Sequence, residues 1–462
     1  MPSRIGISLE QDMNQKANIT EQSIALNPQR ELHLNLFMDG FGHHLASWRH
    51  PNSDLNQSAF QRFLKAAKVA EQGKLDAVFF ADSLAMEPSI VASGKARGHE
   101  VEPLTALSAI AAQTSHIGLI GTATTTYNEP YHVARKFASL DVISNGRTGW
   151  NLVTTDLAAE AQNFNIKEHV PHADRYDRAE EFYDVVTGLW QTWNADAILK
   201  DKDSGQYFDP EKIQVLNHEG HHFSVKGPLN VAPSPQQHPI IVQAGSSERG
   251  KELAARTANV IFTAQSSLES AQHFYADVKS RLSKYGRHST ELSVLPGLYV
   301  VVAKTKAEAL AKQKILDDLI DESVGLGLLG RMLGNFDLTG VDVNGLLPDL
   351  QQTQTGQQSR QDLFTKLSHE QGYTVKQLYG RVASGRGHFS IVGTPEEVAD
   401  HIETWFKQGA ADGFNIMPGF LEEGAQDFVE LVVPVLQQRG LFRTEYQENT
   451  LRARYQPKPS FA

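Results

Sequence analysis

The 462-residue chain is predicted to fold as a (β/α)8 TIM barrel with insertions at the C-terminal rim. Three observations predict this fold. Short apolar runs rich in β-formers recur along the chain, most are followed by a longer run with helical periodicity, and about eight such units occur in a row. Strands that are apolar along most of their length belong to parallel sheets covered on both faces, and eight consecutive units favour a closed barrel over an open sheet.

The predicted strands are runs of apolar and β-branched residues that end in small or polar residues. In chain order they are HLNLFMDGF from His33, DAVFFAD at 76–82, HIGLIGTAT from His116, TGWNLVTT at 148–155, PIIVQAGS at 239–246, NVIFTAQ from Asn259, VLPGLYVVVA at 294–303 and FNIMP at 414–418. Helical periodicity occupies intervening runs such as SAFQRFLKAAKVAEQG and ADRYDRAEEFYDVVTGLWQTW. The alternation predicts strand–helix units throughout.

We expect one domain over residues 1–462, because the excess length is confined to a few segments. Two insertions are predicted at about 194–238 and about 322–388, with a C-terminal tail at about 441–462. The first is rich in Asp, Gly and Pro, and the second carries the polar run TQTGQQSRQD. Barrel enzymes build lids and substrate walls from such insertions at the C-terminal rim.

Composition narrows the classes of function. The chain is 40% hydrophobic and 21% charged, and its formal net charge is -11 without any run of lysines or arginines. Binding to nucleic acid or to an anionic membrane is therefore not expected. The absence of cysteine removes thiol nucleophiles, disulfides and iron–sulfur ligation. The first thirty residues carry no apolar signal segment and no run could span a bilayer, so a cytoplasmic protein is predicted.

Two motifs suggest chemistry that their surroundings do not support. His218-Glu219-Gly220-His221-His222 fits the zinc pattern H-E-x-x-H, which requires a helix to bring both histidines to one face. Gly220 and the alternating FSVKGPLN that follows favour a histidine-bearing loop entering a short strand, and leave a zinc hydrolase as a remote alternative. GLGLLG at 325–330 fits the dinucleotide fingerprint, but it follows a helical run and not a strand. A glycine-rich helix end or hinge is expected there.

Ligand-binding residues of a barrel come from the C-terminal ends of its strands. At these ends the sequence places small polar side chains, which suit a site that holds a large polar ligand by hydrogen bonds. They are Asp82, Thr122, Thr124, Asn151, Thr154, Thr155, Ser246 and Ser247.

Two helix starts could seat an anion. In QAGSSERGKELAA, Ser246 or Ser247 can cap the helix that follows, and the exposed N–H groups of a helix start attract phosphate. A phosphate seat and a plain serine cap are both open interpretations. In HVPHADRY, His172 and Tyr176 are four residues apart and would share a helix face. They could both donate to an anion, or serve packing and capping.

One run of residues resembles a known family. SNGRTGWNLVTT at 144–155 is similar to the signature of the bacterial-luciferase-like flavin monooxygenases, and more narrowly to the nitrilotriacetate, EDTA and dibenzothiophene-sulfone monooxygenases. The resemblance continues through FSVKGPLNVAPSPQQHPIIVQAGSSERGKELAA and IVGTPEEVADHIETWFKQGAADGFNIMP, and spans roughly Leu32 to Gly440.

The resemblance implies a barrel that binds reduced FMN at its C-terminal mouth. A separate flavin reductase would supply FMNH2, and O2 would add to the flavin to give a C4a-(hydro)peroxyflavin that oxygenates a small organic substrate. The resemblance also assigns roles to the strand-end and helix-start residues. Asp82 and Thr122 would line the flavin cleft, Asn151 would lie under the isoalloxazine, and His172, Tyr176, Ser246 and Ser247 would hold the phosphate and ribityl chain.

The substrate pocket is expected near the first strand. Phe37 and Phe80 fall near the predicted mouth, and His44 is the candidate for a catalytic hydrogen bond to substrate or peroxide. A loop histidine satisfied by backbone is the alternative. The aromatic mouth favours an apolar or organosulfur substrate such as a sulfone.

Two alternatives within the same fold stay open: a deazaflavin-dependent oxidoreductase and a non-catalytic flavin-binding barrel. SNGRTGWNLVTT and the long late insertion favour the two-component monooxygenases. A homodimer or homotetramer is what the resemblance suggests.

Overall fold

The computed structural model describes residues 30–86, 91, 94–95, 100–155, 157–334, 336–350 and 358–456. Within them, parallel strands close into a barrel. The strands are β1 His33–Met38, β2 Ala77–Phe80, β3 Gly118–Thr124, β4 Thr148–Val153, β5 Ile240–Gln243, β6 Val260–Thr263, β7 Ser293–Val302, β8 Phe389–Gly393 and β9 Gly413–Pro418. The barrel order is β1-β2-β3-β4-β5-β6-β7-β9, and β9 pairs with β1 to complete the ring. The predicted (β/α)8 fold and its eight strands are confirmed.

The strand β8 was not predicted. It lies outside the ring and pairs with the second half of β7, whereas β6 pairs with the first half of the same ten-residue strand. Its sequence FSIVG is only partly buried, so it lacks the apolar run that marks the other strands.

The helices follow the strands in the predicted alternation. They are α1 Ala59–Gln72, α2 Pro103–Ala111, α3 Pro130–Ile143, α4 His172–Trp190, α5 Glu248–Thr257, α6 Leu268–Arg281, α7 Lys306–Asp318, α8 Glu322–Met332, α9 Gln358–His369, α10 Val375–Gly385, α11 Pro395–Lys407, α12 Leu421–Asp427, α13 Val433–Gln438 and α14 Leu451–Tyr455. Capping boxes begin several of them. In α1 the Ser58 hydroxyl accepts from the Gln61 N–H while the Gln61 side chain accepts from the Ser58 N–H. The buried face of α1 then packs Phe63 and its alanines against the barrel.

The interior of the barrel is packed with apolar side chains from alternate strand positions. Phe37, Phe79, Ile120, Val242 and Leu295 belong to one buried cluster inside the ring. Helix α14 from the C-terminal tail closes the N-terminal end of the barrel, where its Leu451 and Tyr455 join that cluster. The Tyr455 hydroxyl donates to Oδ1 of Asn35 at 2.6 Å. The tail helix thus covers the N-terminal end of the barrel and leaves the C-terminal mouth uncovered by it.

The two predicted insertions take different forms. Residues 194–238 form loops with isolated β-bridges such as Ile198–Phe208, and one β-hairpin whose two strands have two residues each. The second insertion contains α8, α9 and α10, which share a hydrophobic cluster of their own that includes Leu329 and Leu378. The polar run at 353–362 falls partly outside the described residues.

Both misleading motifs have structural roles. His218–Glu219 is a strand of the hairpin, as the loop-to-strand interpretation expected, and the His218 ring lies 3.0 Å from Oε1 of Glu181. The GLGLLG run is the interior of α8, not a helix end or hinge. A side chain at Gly325 would lie 2.7 Å from the Tyr379 ring, so this glycine permits α8 to pack closely against α10. Among the described residues, no helix is long and apolar enough to cross a membrane, and no cluster of three or more metal-ligating side chains forms.

Candidate active site

Thr122 and Asn151 lie on the inner face of the barrel, above its apolar interior. Side chains alternate between the two faces of a strand, and Ile120 is in the interior cluster while Trp150 packs outward against the helices. Thr122 and Asn151 therefore point inward, and they are register partners on β3 and β4. Both are buried, at 4% and 2% exposure.

A short hydrogen-bond chain fixes the orientation of the Asn151 amide. The Thr122 hydroxyl donates to the carbonyl oxygen of Phe80 at 2.7 Å, so it can only accept from Asn151, whose Nδ2 lies 2.8 Å away. The Oδ1 atom of Asn151 therefore points away from Thr122. It has no hydrogen-bond partner among the described residues. A buried carbonyl oxygen without a donor is costly, and it fits a ligand that brings an N–H group.

The residues predicted to seat a phosphate meet across two elements. Ser247 is the N-cap of α5, and its hydroxyl accepts from the Gly250 N–H at 3.1 Å. The Tyr176 hydroxyl on α4 lies 3.4 Å from the Ser247 hydroxyl, and the His172 ring lies 4.8 Å from the Tyr176 ring. The Ser246 hydroxyl is 3.3 Å from that of Thr263. His172, Ser246 and Ser247 are solvent-exposed, so this group of hydroxyls and N–H donors is open to a ligand.

At the start of α5, the backbone at Gly245 and the backbone at Gly250 lie very close together. A Cβ atom on Gly250 would lie 2.9 Å from the Gly245 Cα and 3.0 Å from the Tyr176 hydroxyl. Larger residues at Gly245 or Gly250 would push the start of α5 away from Tyr176. Glycine at both positions therefore brings the Tyr176 hydroxyl to the N-terminal end of the α5 dipole.

Asp82 follows the end of β2 and titrates in an unusual range. Burial raises the pKa of its carboxyl to about 7, and the nearby Glu102 and Glu160 carboxylates act in the same direction against the Ser83 N–H. Burial therefore favours the protonated form of Asp82 to a higher pH than for an exposed aspartate.

A cavity of about 410 Å³ opens beside β1 and β2 at the same mouth. Phe37 and Phe80, the residues that the sequence analysis expected near a substrate pocket, both line this cavity. Most of its other walls are apolar, and they come from segments far apart in the chain. The lining includes Met38, Leu45, Phe63, Ala81, Met86, Val101, Leu157 and Leu328, and the polar residues Asp39, His43, Ser83, Glu100, Arg331 and Arg386.

His44, predicted as the catalytic histidine, is held by the protein on both ring nitrogens. Its Nε2 lies 3.3 Å from Oδ1 of Asp317, and its Nδ1 accepts from the Ala46 N–H. The ring is buried and lies outside the cavity lining. These contacts match the loop-histidine alternative.

The preceding residue, His43, faces the cavity instead. Burial, reinforced by the Arg386 guanidinium, lowers the pKa of His43 to about 3, so the ring is neutral at physiological pH. Its Nδ1 lies 3.7 Å from Oδ2 of Asp39, too far for a hydrogen bond, and neither ring nitrogen has a hydrogen-bond partner among the described residues. Sequence reasoning missed His43 because a loop gives no periodicity that says which of two adjacent histidines points inward.

The loop that carries His43 is fixed to the loop after β9. The His43 N–H donates to the Pro418 carbonyl at 2.8 Å, and the Leu421 N–H donates to the Phe41 carbonyl at 2.7 Å. At Gly42 the φ angle is +136°, and a Cβ atom would lie 2.4 Å from the Gly419 carbonyl oxygen. Only glycine allows these two backbones to approach so closely.

Two further residues of the mouth were not predicted. Arg175 in the first turn of α4 is buried, donates to the Thr154 carbonyl at 3.2 Å, and has no partner for its Nε among the described residues. His388 stacks on Phe262 with ring centroids 5.2 Å apart, and burial lowers its pKa to about 4. In the sequence, the position of Arg175 beside Tyr176 in HADRY was a signal for Arg175, whereas nothing marked His388.

The chain belongs to the luciferase-like monooxygenases, whose family model matches residues 41–412. Among its relatives, N-acetyl-S-(2-succino)cysteine monooxygenase of Bacillus subtilis (strain 168) is 48% identical over 92% of this chain and 97% of its own length. Nitrilotriacetate monooxygenase component A of Aminobacter aminovorans is also 48% identical, over 92% and 96%. Dibenzothiophene-sulfone monooxygenase of Rhodococcus erythropolis (strain XP) is 37% identical, over 92% and 97%. The resemblance read from the sequence is confirmed, and the chain is a monooxygenase.

Solved structures agree with the family. DmoA from Hyphomicrobium sulfonivorans matches with a TM-score of 0.81 and 28% identity, over 92% of each chain. Riboflavin lyase, solved with modified FMN and riboflavin, matches with a TM-score of 0.78 and 31% identity, over 92% of this chain and 96% of its own.

Proposed function

We propose that this monooxygenase uses reduced FMN, supplied by a separate flavin reductase, and O2 to oxygenate a small organic substrate. The observation that carries the proposal is the buried Asn151 Oδ1, which has no donor among the described residues and lies on the inner face of the barrel mouth. A flavin ring offers N–H groups that suit such an acceptor. The family and the FMN in a related structure point the same way.

The residues that would hold the cofactor divide into two groups. His172, Tyr176, Ser246 and Ser247 would bind the phosphate and ribityl chain at the start of α5, where helix N–H groups and hydroxyls converge. Thr122, Asn151 and Asp82 would contact the ring from the ends of β2, β3 and β4. Bound FMN, once reduced, supplies the two electrons that let O2 give one oxygen atom to the substrate and the other to water.

The protein's own groups would shelter and orient the reaction. Apolar lining residues such as Met38, Phe80 and Leu328 would limit the access of water to a substrate in the cavity. His43 is neutral and has ring nitrogens free of hydrogen bonds to the described residues, so it can donate or accept one hydrogen bond to a ligand in the cavity. We assign to His43 the role that the sequence assigned to His44.

An organosulfur substrate fits the aromatic part of this cavity. Phe37, Phe63 and Phe80 present three rings to it. Names of relatives include a sulfone monooxygenase and a succinocysteine monooxygenase, both acting on sulfur compounds. The sulfone that the sequence analysis favoured is one member of this wider class of sulfur compounds.

A second protein is part of the proposal. The relative named component A implies a further component, and a reductase would supply the reduced flavin. The predicted homodimer or homotetramer stays a proposal, which light scattering on the purified protein would decide.

Asn151→Leu tests the flavin proposal, because it keeps the branched skeleton of the side chain and removes the Oδ1 acceptor together with the Nδ2 donor to Thr122. We expect photoreduced FMN, titrated anaerobically, to bind the variant more weakly by roughly 1–3 kcal/mol, the cost of a lost hydrogen bond to a buried group. Unchanged affinity in a folded variant would contradict the assignment. Titration with a reduced deazaflavin in parallel tests the alternative cofactor, since tighter binding than FMN would favour it.

A further inference from the structure

The strand β7 lacks a side chain at one position on the inner face of the barrel. Gly297 lies within the run VLPGLYVVV of this buried strand. A Cβ atom at Gly297 would lie 2.3 Å from Nδ1 of His388 and 2.7 Å from Sδ of Met417, which belongs to the interior cluster. The imidazole of His388 therefore occupies space that a side chain of β7 would fill, and a larger residue at 297 would displace it.

His388 reaches this place from outside the ring of eight strands. It lies between α10 and β8, and its N–H donates to the Gly385 carbonyl at 2.8 Å. The two residues between them, Arg386 and Gly387, have positive φ angles of +46° and +95°, so the chain makes a tight turn. This conformation costs a residue with a side chain about 1 kcal/mol or more, so the contacts of the turn must hold Arg386 there.

The same turn contacts His43 twice. The Arg386 guanidinium donates to the His43 carbonyl at 2.9 Å, which holds the backbone. The ring of His388 meets the ring of His43 edge to face, with centroids 6.0 Å apart. His388 itself is stacked on Phe262 with centroids 5.2 Å apart. The turn therefore restrains both the backbone and the ring of His43.

Packing alone orients the ring of His43. Both of its nitrogens are buried without a hydrogen-bond partner among the described residues, and so is Nδ1 of His388. Burial lowers the pKa of His43 to about 3 and that of His388 to about 4, so the two rings meet as neutral groups at physiological pH. Removal of one ring would leave a space into which the other can turn and water can enter.

We propose that His388 is a positioning residue of the active site, which enters the barrel beside Gly297 and holds the ring of His43 towards the cavity. The second insertion would in this way fix a residue of the loop after β1. The proposal rests on the proposed function for the part that His43 takes in the reaction. The positioning itself can be measured without flavin or substrate.

The test follows the His43 ring in two-bond 1H–15N spectra of the full chain labelled at its histidines. Absence of the signal in His43→Gln assigns it. His388→Ala opens the packing to water, so the pKa of His43 should rise by at least about two units towards its ordinary value of about 6.5. Asp39, which raises this pKa, and Arg386, which lowers it, stay in place in the variant.

Two further variants separate the position of His388 from its chemistry. Gly297→Ala keeps both histidines but puts a Cβ atom against Nδ1 of His388, so it should raise the pKa of His43 as His388→Ala does. His388→Phe restores an aromatic ring, so it should keep the pKa of His43 as low as in the wild type.

His401→Ala is the matched control. His401 lies on α11 and stacks on Phe389 of β8 with centroids 4.1 Å apart. Burial lowers its pKa to about 4, and its Nε2 is buried without a partner among the described residues, as in the histidine pair. Because His401 packs outside the ring of strands, its variant should leave the pKa of His43 unchanged.

An unchanged pKa of His43 in a folded His388→Ala variant would overturn the proposal, as would an equal rise in His401→Ala or in His388→Phe. Oxidation of photoreduced FMN by O2 is followed on the same samples, and we expect it to be faster than in the wild type in both His388→Ala and His43→Gln. If His43→Gln leaves this rate unchanged while His388→Ala raises the pKa of His43, the proposed role of His43 fails and the positioning stands.

Discussion

At the scale of single residues, Ser247 caps α5 and is proposed to bind the FMN phosphate, so Ser247→Ala removes both contributions at once. Its hydroxyl caps α5 and lies 3.4 Å from the Tyr176 hydroxyl. We expect Ser247→Ala to weaken FMN binding by roughly 1.5–3 kcal/mol, because a hydrogen bond to a charged phosphate is lost. Tyr176→Phe should weaken it in the same range. Fluorescence titration of FMN would measure both.

Loss of the helix cap alone must be subtracted from that result. Ser267 caps α6 in the same way, accepting from the Ser270 N–H at 3.2 Å, and it has no predicted role in binding. Ser267→Ala should lower the free energy of unfolding by about 1 kcal/mol, as for any serine cap, and leave FMN binding unchanged. Equal effects of both serine variants on FMN binding would show that Ser247 acts only as a helix cap.

Asp82 makes the free energy of unfolding depend on pH, and its raised pKa fixes the direction of that dependence. Its folded pKa is raised to about 7 by burial, so between about pH 4 and pH 7 the folded protein keeps a proton that the unfolded chain releases. The contribution of Asp82 to the free energy of unfolding therefore falls as pH rises through this window. Asp82→Asn should be more stable than the wild type at about pH 8, and the difference should shrink towards pH 4 in denaturant unfolding curves.

Asp337 supplies a control of opposite sign. The Thr339 hydroxyl and N–H lower the pKa of Asp337, so its contribution is present above the unfolded pKa and is lost as pH falls. Asp337→Asn should be slightly less stable than the wild type at neutral pH, with the difference vanishing in acid. An Asp82→Asn variant that behaves in the same way would show that Asp82 is ionised in the folded protein.

At the scale of elements, strands were easier to predict than the loops that join them. The eight barrel strands are largely buried on both faces, so most of them are apolar along most of their length, such as VLPGLYVVV in β7. The sequence did not predict β8, because this strand pairs with only half of β7 and its side chains stay partly exposed. The helix α8 was misjudged because its glycines weaken helix propensity, while packing against Tyr379 on α10 more than compensates.

The loop after β1 shows how one element positions another. A Cβ atom at Gly42 would collide with the Gly419 carbonyl and the chain at Phe420 and Leu421. Gly42→Ala should therefore separate the two loops, displace His43 and cost roughly 1–3 kcal/mol of stability, with a larger loss of substrate oxygenation. Unfolding curves and product formation measure the two effects.

Gly205→Ala is the control for that change. Gly205 has φ +74° but open space around it in the first insertion. It should cost about 1 kcal/mol through backbone conformation alone and leave oxygenation unchanged. A Gly42→Ala variant that keeps full activity would show that His43 does not depend on this contact between loops.

At the scale of the whole molecule, the site combines what a sequence can and cannot show. Thr122, Asn151, Tyr176 and Ser247 were predicted because strand ends and helix starts have local signals, and the structure brings them to one mouth. The cavity could not be predicted in the same way. Its walls come from residues as far apart as Phe37 and Arg386, and only the closed barrel and the packed insertion bring these together.

The central claim is that this mouth binds reduced FMN and controls its reaction with oxygen. Rapid mixing of photoreduced FMN and protein with oxygenated buffer, followed by absorbance, tests it most directly. We predict a transient spectrum that differs from both free reduced and free oxidised FMN, together with slower appearance of oxidised FMN than in buffer alone. Oxidation of the flavin at the same rate and with the same spectra as without protein, in a sample that is folded, would contradict the account.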